Sequence, residues 1–113
     1  MNKKTTISVV IAVKGKSSTI SRVLRGFLRQ TVLPHEIIVV GDASAIGQIE
    51  KFLSRDERIQ IQLVMFSGDK NDARNKGFEN ATGEFIFFCD HDMVPSLTLI
   101  AESNELCKKF DAL

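Results

Sequence analysis

Glu84-Phe85-Ile86-Phe87-Phe88-Cys89-Asp90-His91-Asp92 is the stretch that decides the fold. Five apolar residues run straight into two carboxylates spaced one residue apart. So short an apolar run reads as a strand buried on both faces, and charge appears where that strand should leave the sheet. In open α/β sheets the carboxyl ends of the strands are where ligands sit. Asp-x-Asp at such a point suits a hard divalent cation, which takes oxygen ligands and commonly shares them with phosphate. A solvated turn after a buried strand fits the same residues equally well, so the choice rests on the rest of the chain.

Upstream, residues 6–13 (Thr-Ile-Ser-Val-Val-Ile-Ala-Val) are rich in β-branched types and predict a first buried strand. Lys14-Gly15-Lys16 makes a turn, and Ser17 or Ser18 is placed to cap the helix that follows. Ile20, Val23, Leu24, Phe27 and Leu28 recur at the spacing of one buried helical stripe, with Arg22, Arg25 and Arg29 off it as a solvated face. Gly26 weakens that helix by about 1 kcal/mol relative to Ala unless close packing requires it. Pro34 closes this region. Glu36–Val40 predicts a second strand ending at Gly41-Asp42-Ala43-Ser44, then a short helix through Ile46, Ile49, Phe52 and Leu53. After the polar link Arg55–Arg58, residues 59–64 alternate apolar with Gln, as in a half-exposed edge strand. Ser67-Gly68-Asp69 is a turn, and 69–80 predicts a helix whose Ala73 and Gly77 allow close approach to the sheet. Ala81-Thr82-Gly83 stops it before the quoted strand. Pro95 and Ser96 open a last helix with Leu99, Leu106, Phe110 and Leu113 on one side.

The order β-α-β-α-β-α-β-α makes the chain α/β: a Rossmann-like parallel sheet between two helical layers, residues 1–113 forming one domain. Strands laid down in the order 3-2-1-4 reverse direction beside the first strand and open a crevice there. Asp42 follows strand two and Asp90 follows strand four. Two strand spacings separate them by about 10 Å, which suits a nucleoside with its phosphates better than one metal ion shared by both.

With 43% hydrophobic and 26% charged residues the chain has ordinary globular composition, not that of a disordered one. A net charge of +1 gives no bulk attraction for nucleic acid or an anionic membrane. No apolar run approaches the ~20 residues of a membrane span. The apolar stretch 7–13 is interrupted by Ser8, stops at Lys14 and lacks a good cleavage site, so it is not read as a signal peptide. Cys89 and Cys107 have neither disulfide-framework density nor metal-site spacing. A reduced, packed Cys89 and a cytoplasmic setting, or a peripheral one at the inner face of the membrane, are expected.

Four motifs then carry a resemblance. Ser8–Val13 looks like the opening strand of family-2-type glycosyltransferases with the GT-A fold. Glu36–Ser44 resembles that family's second strand and its Asp-Asp-Gly-Ser turn. Asp-Ala-Arg-Asn-Lys-Gly at 72–77 is similar to its Ala-Arg-Asn-x-Gly helix, and residues 81–92 to its Gly-Glu-strand-Asp-x-Asp segment. Each is weak alone, but in this order they cover nearly the whole chain. The resemblance implies binding of a nucleotide-diphospho-sugar, with a UDP-sugar favoured, for inverting transfer to an unidentified glycan or lipid acceptor. It implies that Asp42 accepts a hydrogen bond from the base, with the backbone of Ala12 and Val13 beside it. Asp90 would lie near ribose and metal, and Asp92 would hold Mg²⁺ or Mn²⁺. Arg74 stands where a cation meets the nucleotide, and a structural ion pair explains it equally. His91 reads as a spacer rather than a ligand, because neighbouring side chains of an extended segment diverge.

The sequence departs from the family pattern at Ala12, often Pro, and at Lys14-Gly15, Gly41 and Ala43. In the family the general base and the acceptor-binding half follow the Asp-x-Asp segment, so no catalytic residue is assigned among these residues, and Glu102, Glu105 and Asp111 are not read as one. A truncated form, a donor-binding fragment and a protein completed by a partner all fit. The strand 85–89, if it lies at the sheet edge, invites association with a second copy. Two rivals stand beside this reading. Gly15-Lys16-Ser17 suggests a phosphate loop, but Val10 occupies the position of the required glycine. A Rossmann-like interaction domain that binds no nucleotide is compatible with the same fold.

Overall fold

The structure, a computed structural model, describes residues 5–52 and 59–111, with all their side chains except those of Phe52, Phe110 and Asp111. The elements are β1 (Ile7–Val13), α1 (Ile20–Leu28), β2 (Glu36–Gly41), α2 (Ala43–Phe52), β3 (Gln60–Met65), α3 (Lys70–Asn80), β4 (Phe85–Asp90) and α4 (Leu99–Asp111). All strand pairs are parallel, in the order β3-β2-β1-β4, as the sequence predicts. Ala12 stands in register with Val40 on one side and Asp90 on the other, so these strands end level with one another.

β1 and β2 are buried along their whole length because they are the two inner strands, and their β-branched residues fill both faces. On one face Val9, Ile11, Ile37 and Val39 pack with Val23, Leu24 and Phe27 of α1, Ile49 of α2 and Ile100 of α4. On the other, Val10, Ala12, Ile38 and Val40 pack with Ala73 of α3. The chain moves outward from β1 to β3 and then crosses back to β4. A right-handed crossover running in the reverse direction must use the opposite face, which is why α3 lies alone there. Gly77 lets it come close: a Cβ at this position would collide with Val10 Cγ1. Gly26 has a similar explanation, since a Cβ there would sit 2.8 Å from Cγ and Cδ of the buried Pro95.

Three expectations need correction. β4 takes the edge position that the 3-2-1-4 order gives it, but it is not buried on both faces: of its residues only Cys89 is fully buried, and Phe88 is 43% exposed. The apolar run could not reveal this, because α3 covers β1 and β2 and leaves the Phe88 side of β4 partly open. Neither Ser17 nor Ser18 caps α1. Its N-cap is Thr19, whose side chain makes no cap bond, and the Ser17 hydroxyl accepts the Thr19 N–H instead. In α4 the packed residues are Ile100, with Leu99 and Cys107 beside it, while Leu106 is exposed. The polar, half-buried Ser103 and Asn104 share the inward stripe and hide its phase in the sequence. Leu53, the 55–58 link and Leu113, like the Phe52 and Phe110 side chains, lie outside the described residues. Among the described residues no helix is long and apolar enough to cross a membrane.

The amino ends of the strands are tied by one buried carboxylate. Glu36 Oε2 accepts bonds from the Ser8 hydroxyl (2.6 Å), the Thr82 N–H (2.6 Å) and the Thr82 hydroxyl (2.9 Å). Ser8 Oγ in turn accepts the Gly83 N–H. This network fixes the turn into β4, and therefore the direction in which β4 delivers Asp90.

Candidate functional site

The carboxyl ends of the strands form a cleft of about 230 Å³. Its apolar lining is Ala12 and Val13 at the end of β1, Phe66 after β3 and Ala73 of α3. Lys14, Asp42, Asp69, Lys70 and His91 supply polar groups. Three of these elements were expected to meet here, and they do: the end of β1, the turn after β2 and the segment after β4. Arg74, Asp90 and Asp92 do not line the cavity; Asp90 joins it through Lys70.

Asp42 is positioned by the backbone on both sides. Its Oδ1 accepts the Ala45 N–H at 3.0 Å, as an N-cap of α2. Its Oδ2 accepts the Gly15 N–H at 2.9 Å. Gly15 can offer that N–H because its φ is +67°, a left-handed conformation natural to glycine. The Ala45 and Gly15 N–H groups hold the Asp42 carboxyl below its ordinary pKa, with Lys14 adding a smaller attraction. Each carboxylate oxygen retains a second lone pair, so a further donor can still be accepted.

Asp90 is held by cations. Lys70 Nζ lies 2.6 Å and Arg74 Nη2 3.3 Å from its Oδ1. The Lys70 hydrogen bond is the main force lowering the Asp90 pKa, assisted by the charges of Lys70 and Arg74. Arg74 therefore does form the structural ion pair weighed above. Asp92 is exposed and makes no hydrogen bond or ion pair among the described residues. Burial, reinforced by Asp90 and Asp92, pushes the Cys89 thiol up to about 11, which keeps it a protonated, packing thiol.

His91 is more than a spacer. Its Nδ1 lies 3.1 Å from Ser17 Oγ, and its carbonyl accepts the Thr19 hydroxyl at 2.9 Å. Gln48 of α2 clasps the same loop, accepting the Ser17 N–H and donating to the Ser17 carbonyl. The Asp90–Asp92 turn, the loop after β1 and α2 are thus one connected rim. Sequence reading also missed Phe66 and Lys70. The usable signal was positional: Phe66 follows β3 directly and Lys70 opens the helix after that turn, and the carboxyl-end rule applies to β3 as it does to β2 and β4.

The donor chemistry fits a hard cation. Asp90 and Asp92 supply only oxygen, and Mg²⁺-type sites often take one or two carboxylates with phosphate and water completing the shell. Among the described residues no cluster of three or more ligating side chains exists, so any such ion would depend on a bound anion for the rest of its shell.

Comparison with known proteins adds the family context. Residues 8–102 match the family described as Glycosyl transferase family 2. The Uncharacterized glycosyltransferase YwdF of Bacillus subtilis (strain 168) is 33% identical over 86 residues, covering 76% of this chain and 32% of that protein. The Uncharacterized glycosyltransferase EpsJ of the same organism is 33% identical over 109 residues, covering 88% of this chain and 31% of that one. The crystal structure of S. aureus TarS 1-349 superposes with a TM-score of 0.78 at 20% identity, covering 92% of this chain and 32% of that chain. The same protein in complex with UDP-GlcNAc gives a TM-score of 0.76 at 19% identity, covering 92% and 31%. The chain thus spans about a third of the length of these two relatives.

Proposed function

The chain belongs to glycosyl transferase family 2, and from that premise we propose that it forms the donor-binding part of an inverting glycosyltransferase, taking a nucleotide-diphospho-sugar with UDP as the favoured carrier. The observation that carries the reading is the cleft itself: Ala12, Val13 and Asp42 meet Lys70 and His91 at the carboxyl ends of the strands. The solved structure of TarS in complex with UDP-GlcNAc supports UDP as the carrier by kinship.

In this reading the base lies against Ala12, Val13 and Phe66, with the spare lone pairs of Asp42 accepting its N–H. The cavity is smaller than the ~300–1,000 Å³ usual for a whole ligand, so it takes the nucleoside end and leaves the sugar at the open rim. Lys70 and Arg74 face the diphosphate, and Asp90 orients both cations. Asp92, with Asp90, would hold Mg²⁺ or Mn²⁺. When bound, that ion supplies Lewis-acid neutralisation of charge on the departing nucleoside diphosphate.

Calorimetric titration with UDP, GDP and their sugars, with and without Mn²⁺, tests this. The expected result is Mn²⁺-enhanced binding of one nucleotide, with the enhancement lost in Asp92→Ala. Absence of binding to every nucleotide overturns the proposal and leaves a Rossmann-like interaction domain.

A further inference from the structure

We propose that Lys70 is the cleft's own resident cation, held by Asp90 while the site is empty and transferred to the donor's diphosphate when it binds, so that nucleotide retention does not depend on a divalent metal alone. This rests on the donor-site reading above and deepens it.

Three carboxylates around the cleft are already engaged. Asp42 is bonded to the Gly15 and Ala45 N–H groups, Asp69 caps α3 through the Asp72 N–H, and Asp90 is paired with Lys70 and Arg74. Two cations therefore converge on one oxygen of Asp90. One of them can thus turn to another anion without leaving that carboxylate unpaired.

The position of Lys70 is also locally unfavourable. It is the first residue of α3, at the positive end of the helix, where a cation is repelled by the unpaired backbone N–H groups. A residue that breaks a local rule beside a cleft is where a functional reason is expected. Lys70 lines the cavity and its side chain is 53% exposed, so its pair with Asp90 is solvent-screened and contributes little. It can leave Asp90 at small cost. Arg74, bonded to the same oxygen, remains to neutralise Asp90 after Lys70 has moved. An anionic diphosphate at that rim would also relieve the repulsion between Lys70 and the helix end.

The test uses the full 113-residue chain and the tighter of UDP and GDP, with the matching nucleoside as control, titrated in EDTA and in Mn²⁺. The wild-type chain should bind the diphosphate in EDTA more tightly than it binds the nucleoside. Lys70→Met should weaken diphosphate binding in EDTA by about tenfold or more, the value of a charge-assisted hydrogen bond. The loss should be smaller in Mn²⁺ and larger for the diphosphate than for the nucleoside, and Lys70→Arg should restore most of the binding. A wild-type circular dichroism spectrum and melting transition report that the variant is folded. Lys70→Met binding the diphosphate in EDTA as tightly as wild type overturns the proposal. So does wild-type binding that exceeds the nucleoside level only in Mn²⁺; in both cases the donor-site reading stands. Absence of any binding by the wild-type chain in either medium overturns both.

Discussion

Gly15 and Asp42, 27 residues apart, are joined by a 2.9 Å hydrogen bond from the Gly15 N–H to Asp42 Oδ2. The bond closes the loop after β1 onto the turn after β2, so one carboxylate both caps a helix and shapes a wall of the cleft. A residue matched to a binding role by motif is thus also part of the scaffold. Its two tasks separate by substitution.

Asp42→Asn keeps a good N-cap oxygen for Ala45 but replaces an acceptor-only group with an amide. The amide NH2 then faces the Gly15 N–H and that bond is lost, so this variant should melt somewhat below wild type and bind UDP about tenfold more weakly, the range of one charged hydrogen bond. Asp42→Ala should lower both, and the melting temperature by more. Differential scanning calorimetry beside titration calorimetry checks the pair, and equal melting losses in the two variants would contradict it.

Ser8→Ala should destabilise the chain by about 1–3 kcal/mol, because it removes one of the three bonds to the buried Glu36 carboxylate and leaves the Gly83 N–H without its acceptor. Burial raises the Glu36 pKa, but the Ser8 and Thr82 hydrogen bonds and the charge of His35 outweigh it, and the folded value lies below the ordinary one. A lowered carboxyl stabilises the fold above its unfolded pKa, and that contribution fades as pH falls through the folded value. Without Ser8 the folded value rises, so acid unfolding should begin at a higher pH than in wild type. Urea denaturation from neutral to acid pH measures both effects.

Gly77→Ala should cost about 1–3 kcal/mol, the usual range for overpacking, because the new methyl meets Val10 in the β1 core. Val10→Ala in the same chain should recover part of the loss by making room. Chemical denaturation of the single and double variants measures the recovery. Additive losses would mean that α3 shifts away from the sheet instead.

The parts of the fold that were legible in the sequence are those fixed by local pattern. β-branched runs such as 37–40 could only be inner strands, and the β-α alternation then left few topologies. The alternating Gln and apolar residues of β3 marked an edge strand, as found. The strand order put β4 at the other edge, but its apolar run concealed the open side, because exposure of Phe88 depends on where α3 sits and not on its own neighbours in sequence. At the site, carboxylates were visible because Asp-x-Asp is a contiguous motif. Lys70 and Ser17 were not, since their partners Asp90 and His91 are 20 and 74 residues away and only the folded chain brings them together.

The last of these long-range contacts yields a prediction that a spacer role for His91 would not. Ser17 is buried, and its hydroxyl is shared among His91 Nδ1, Thr19 Oγ1 and the Thr19 N–H. If His91 locks the Asp90–Asp92 turn to this loop, Ser17→Ala and His91→Ala remove the same bond. Their combined effect must then be smaller than the sum of the two. The double-mutant cycle should show a coupling of about 0.5–1.5 kcal/mol in unfolding free energy. Mn²⁺-enhanced nucleotide binding should weaken in either single variant and hardly further in the double, because a turn already released has no second restraint to lose. Strict additivity in unfolding would mean that the Ser17–His91 contact contributes nothing and that other bonds, such as that from the Thr19 hydroxyl to the His91 carbonyl, hold the turn.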